Sequence, residues 1–122
     1  RIDITYVNVA TRGFFYWLSQ HYSAPHIFVE CKNYGKEVGN PEIDQLAGRF
    51  SPSRGQVGIL VCRKIANKDK LIKRCRDTAN DHRGYVIPLD DDDLAAVIDE
   101  RLKVYDDQEF DLLRKMFNQL IM

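Results

Sequence analysis

The run Val57-Gly58-Ile59-Leu60-Val61-Cys62 constrains this chain more than any other stretch. An uninterrupted series without a polar side chain predicts a strand covered on both faces, as in the interior of a layered sheet. Helical patterns flank it. Before it, Pro41 reads as the first residue of a helix with Asn40 as cap and Glu42 in the first turn. Ile43, Leu46, Ala47 and Phe50 form the apolar stripe of that helix. After it, Asn67 can cap a helix whose stripe is Leu71, Ile72, Cys75 and Ala79. The other faces of that helix carry Lys68, Lys70, Lys73, Arg74 and Arg76, which read as a solvated surface, and Gly84 ends it. Tyr85 to Leu89 forms a further strand, with Pro88 placing it at a sheet edge or a strand end. Alternating helices and strands from Gly35 onward predict an α/β domain, a central mixed β-sheet flanked by helices.

The rest of the chain adds to this frame. Arg1 to Ala10 begins as an alternation, Ile2 and Ile4 against Asp3 and Thr5, and predicts a half-buried strand. Phe14, Trp17, Leu18, His21 and Tyr22 fit one helical stripe and read as core rather than as a base-stacking platform. A strand is then expected over His26 to Tyr34. Asp90 to Asp93 precede Leu94, Val97, Ile98, Leu102 and Tyr105. These acids suit a helix N-terminus, and they lack the alternating ligands and glycine of a calcium loop. Phe110, Leu113, Phe117 and Leu120 mark a last helix. This helix, with Phe117, Leu120, Ile121 and Met122, calls for a covering surface, expected to come from a segment outside the chain or from a second copy.

Composition narrows the class. A chain of 122 residues supports one domain with a real core. No apolar run approaches the roughly 18 residues of a membrane span, so no membrane partner is expected. Cys31, Cys62 and Cys75 are odd in number and lack CxxC spacing. They read as buried reduced thiols, which fits a cytoplasmic protein. His21, His26 and His82 lack the spacing of a zinc site. The net charge is zero but unevenly spread: residues 1–83 hold 14 Lys/Arg against 8 Asp/Glu, and residues 84–122 hold 4 against 10. The basic portion favours a polyanionic partner.

The candidate chemistry lies at the end of the strand Ile27-Phe28-Val29-Glu30-Cys31-Lys32. Residues two apart on a strand share a face, so Glu30 and Lys32 set an acid beside a base where an apolar run ends. A solvated ion pair of little energetic worth is the plain reading. With Asp3 on the neighbouring strand, the alternative is a site for a hard divalent cation, with magnesium first and manganese able to substitute. Asp3, Glu30 and the Cys31 backbone carbonyl would be the oxygen ligands. Lys32 could then help deprotonate a water and offset phosphate charge, and Gln45, on the following helix, could reach back to it.

Asp3, then Glu30-Cys31-Lys32 closing an apolar strand, then a helix bearing Gln45-Leu46, resembles the PD-(D/E)XK nuclease superfamily. The likeness is strongest to restriction endonucleases acting on modified DNA and to Holliday-junction resolvases. It implies a restriction endonuclease-like core over residues 1–89, with 90–122 a C-terminal helical extension packed on the same domain. It implies Asp3, Glu30, Lys32 and Gln45 as catalytic residues and magnesium-dependent hydrolysis of DNA. Arg12, Lys36, Arg49 and Arg54 are the expected phosphate contacts. The family places a helix and a strand before the aspartate strand. That portion, and a DNA-reading domain of the same polypeptide, are expected upstream of Arg1. A homodimer is expected because cutting both strands takes two active sites. The alternative is a non-catalytic module of the same fold that binds DNA or protein.

Overall fold

The computed structural model describes residues 2–32, 40–103 and 110–122. Among them the elements run β1 (Ile2–Val7), α1 (Gly13–His21), β2 (His26–Lys32), α2 (Asn40–Ala47), β3 (Val57–Cys62), α3 (Lys68–Asn80), β4 (Tyr85–Leu89), α4 (Asp91–Lys103) and α5 (Asp111–Ile121). The four strands form one mixed sheet in the order β1-β2-β3-β4. β1 pairs antiparallel with β2, whereas β2, β3 and β4 are mutually parallel. The sequence therefore predicts the α/β class and the mixed sheet correctly, and Pro88 does lie on an edge strand. α2 starts at Asn40, one residue earlier than the cap reading places it.

Register fixes which side chains share a face, because ladder partners point the same way. Thr5 pairs with Phe28 and Phe28 with Gly58; Asp3 pairs with Glu30 and Glu30 with Leu60; Lys32 pairs with Cys62. The helix α2 lies on this face. A Cβ at Gly58 would sit 3.1 Å from Leu46 and 3.2 Å from Phe50, so the absence of a side chain lets the helix approach. α3 follows on the same side, where Arg83, just beyond its end, pairs with Asp44 of α2 at 2.8 Å.

The opposite face is covered unevenly. α5 seats Leu113, Phe117 and Leu120 in the core, and Phe117 packs edge-on against Phe14 and Tyr22. The expectation that this helix needs a second copy or an outside segment is corrected for Phe117 and Leu120, which the chain itself buries; Met122 stays exposed. Over β1 to β3 the same face carries an apolar groove of about 740 Å³. It is lined by Tyr6, Val29, Ile59, Val61, Val97 and Leu113, among others. The half-buried reading of β1 is also corrected. Asp3 through Val7 are all exposed, Tyr6 at 55% and Val7 at 65%, because among the described residues the strand is an edge and no helix covers it.

Asp90 and Asp93 cap α4 reciprocally. The Asp93 N–H donates to Asp90 Oδ1 at 2.8 Å and the Asp90 N–H donates to Asp93 Oδ2 at 3.1 Å. Cys62 and Cys75 are buried and Cys31 only half-buried, and none of the three forms a disulfide. Among the described residues no helix is long and apolar enough to cross a membrane.

Candidate functional site

The site forms where β2 ends beneath α2. The carboxyl ends of parallel strands open there, and in such sheets ligands bind outside that edge. Alternation turns Phe28, Glu30 and Lys32 toward α2 and Cys31 toward the other face. Only the Cys31 main chain lies between the acid and the base.

Glu30 is fully buried and Lys32 is 4% exposed. The reading of a solvated pair is therefore corrected. Lys32 Nζ stands 3.9 Å from Glu30 Oε2, beyond hydrogen-bond distance, and donates to Gln45 Oε1 at 3.1 Å. Gln45, itself exposed, holds the ammonium from the helix side. Asp3 is the direct cross-strand partner of Glu30. Such partners carry their Cβ atoms about 4.5–5.5 Å apart on one face. The exposed Asp3 thus lies at the solvent margin beside the buried Glu30. The structure brings Asp3, Glu30, Lys32 and Gln45 into one cluster.

Among the described residues no group of three or more His, Cys, Asp or Glu side chains is placed to hold a metal ion. Two carboxylates with a main-chain oxygen suit a cation that keeps much of its water, as magnesium does.

Glu42 was read only as a first-turn acid, yet it lies near this cluster. Three residues before Gln45, it occupies the same side of α2. Burial and the neighbouring charges of Glu42 and Asp90 push the Cys62 thiol up to about 11, against the pull of Lys32. Cys62 is the cross-strand partner of Lys32, so these groups share one electrostatic neighbourhood. The three-residue spacing of Glu42 and Gln45 was the available signal.

The four expected phosphate contacts part company. Arg49 and Arg54 both lie over the Phe28 ring, their guanidinium carbons 5.0 and 5.9 Å from its centroid, on the face that carries Glu30. Arg12 is the exposed residue preceding α1, at the far end of β2 from Lys32. Lys36 lies outside the described residues. Phe28 as a platform for two arginines was not foreseen, although its place two residues before Glu30 puts it on the same face.

No family model, curated protein or solved structure matches the chain.

Proposed function

We propose that this chain is the catalytic part of a magnesium-dependent endonuclease that hydrolyses DNA phosphodiester bonds on a restriction endonuclease-like core. The observation that carries the reading is the buried Glu30–Lys32 pair with Gln45 on its lysine and Asp3 across the strand. Burying two opposite charges costs several kcal/mol per ion, and an apolar pair of like volume is often as stable or more so. Stability therefore gives little reason for the pair, whereas chemistry on a phosphate gives a specific one.

Asp3 and Glu30, with the Cys31 carbonyl, would hold the magnesium, with manganese able to take its place. When bound, the ion supplies an acidified water and neutralises phosphate charge. Lys32 presents an ammonium on the same face, where it offsets negative charge building on the phosphorus oxygens and orients the attacking water. Gln45 fixes the position of Lys32 by its hydrogen bond. Burial keeps bulk water from screening these interactions. Two copies acting together would cut both strands.

Incubation of supercoiled plasmid with magnesium tests the reading. Nicking is expected from the intact chain, and Glu30→Ala or Lys32→Ala should lower its rate about 100-fold or more. Equal cutting by both variants overturns the assignment of the site. DNA binding without metal-dependent cleavage, indifferent to Lys32→Ala, would instead mark a non-catalytic binding module.

A further inference from the structure

We infer that Arg49 and Arg54, stacked over Phe28, form a second phosphate subsite, one backbone step along the same strand from the phosphate held at Asp3, Glu30 and Lys32. The inference rests on the nuclease reading and adds to it a substrate requirement: the phosphate next to the scissile one must be charged.

Both guanidinium groups lie over the same buried ring. Among the described residues neither has a carboxylate within ion-pair distance. Arg49 Nη2 donates only a long hydrogen bond to Thr5 Oγ1, at 3.4 Å, and Arg49 Nη1 is buried with no hydrogen-bond partner. Two like charges beside one apolar ring favour an anion, and one bound at both would offset their charge. A guanidinium resting against an aromatic ring also keeps its fork of donors for two-point contact with a phosphate.

Position identifies which phosphate. Phe28 precedes Glu30 by two residues on the same face, a separation of roughly 6.5–7 Å along the strand. Thr5 stands in the same relation to Asp3 on β1. The arginine pair is thus displaced from the carboxylate pair by about one nucleotide step of an extended backbone, in the direction of β2's start. A strand lying along the exposed margin of this face, beside Asp3 and Thr5, would set one phosphate at each pair.

Two measurements test this. Salt dependence of duplex DNA binding, followed by anisotropy without divalent ions, reads phosphate contacts directly. Arg49→Met and Arg54→Met keep the apolar stem over Phe28, and each should reduce the log–log salt slope by about 0.9. Unchanged slopes in both overturn the subsite, whether or not the chain cuts DNA. Cleavage of an oligonucleotide carrying one neutral methylphosphonate beside the scissile linkage tests the register. The intact chain should lose about 10- to 100-fold in rate on that substrate, and Arg49→Met, already slowed on the fully charged substrate, should show little further loss. If Arg49→Met keeps the full sensitivity to the neutral linkage, the assignment of Arg49 to that phosphate is wrong. Failure of Lys32→Ala to slow cleavage would instead count against the nuclease reading itself, so the two failures are distinguishable.

Discussion

At the level of single residues the decisive contrast is between what Glu30 and Lys32 cost and what they do. Removing one member of a buried pair leaves the other charge stranded, which costs about 3–5 kcal/mol. Lys32→Ala is therefore expected to lower stability as well as activity, and its cleavage assay belongs well below its melting temperature. The double variant Glu30→Leu/Lys32→Met separates the two effects. Because it fills the same space without desolvating ions, it should match the intact chain or exceed it by about 1–4 kcal/mol in urea unfolding, while losing cleavage. A double variant as unstable as Lys32→Ala would show that the pair is there for the fold, and the functional argument drawn from its cost would fall.

Asp3, Glu30, Lys32 and Gln45 were legible in the sequence because strand periodicity and the order of strand and helix are local rules. Glu30 and Lys32 had to share a face, and Gln45, on the helix that follows but off its apolar stripe, was within reach of them. The burial of the pair was not legible. It depends on α2 descending onto Gly58, a contact between elements that no local pattern encodes. The stacking of Arg49 and Arg54 on Phe28 was hidden for the same reason.

Among the elements, β1 and α4 show how one kind of pattern can mislead while another succeeds. Alternation along β1 told which residues share a face, but not whether any layer covers it. Tyr6 and Val7 are exposed because the neighbouring layer stops short of the edge. At α4 the acids sit on the terminus whose N–H groups they satisfy, a rule complete within four residues. Burial works against the Asp90 charge, but the Asp93 N–H and the Lys68 ammonium outweigh it and hold the Asp90 carboxyl below its ordinary value. A depressed carboxylate contributes stability that is complete above its unfolded pKa, about 3.9, and lost as pH falls through the lower folded value. Asp90→Ala should thus cost about 1 kcal/mol at pH 7. The gap between it and the intact chain should close as urea titrations are taken from pH 5 to pH 3 and below. A gap just as wide once both forms are protonated would mean that the hydrogen-bonding geometry at Asp90, rather than its charge, carries the effect.

At the scale of the whole molecule, the C-terminal helices are part of the core that holds the site and not an appendage to it. Leu113, Phe117 and Leu120 belong to the same hydrophobic cluster as Phe28 and Leu60, which flank Glu30 in the sheet. Phe117 touches Phe14 and Trp17 of α1, Tyr22 beyond it and Tyr85 of β4, so one ring ties together the first helix, the last helix and an edge strand. Phe117→Ala removes a fully buried ring and should cost about 3–5 kcal/mol, a large share of the roughly 5–15 kcal/mol of a typical domain. In a chain of this size that lowers the melting temperature by about 10 °C or more. Phe117 lies on α5, on the face opposite the residues of the proposed cleavage chemistry. Below the lowered transition the variant should therefore retain the proposed magnesium-dependent cleavage, whereas Lys32→Ala should not at any temperature. Calorimetry paired with plasmid nicking at 15 °C (about the optimum of domain stability) checks both halves. Loss of cleavage by a folded Phe117→Ala would show that α5 shapes the site directly, through β2 and β3, and not only by holding the domain together.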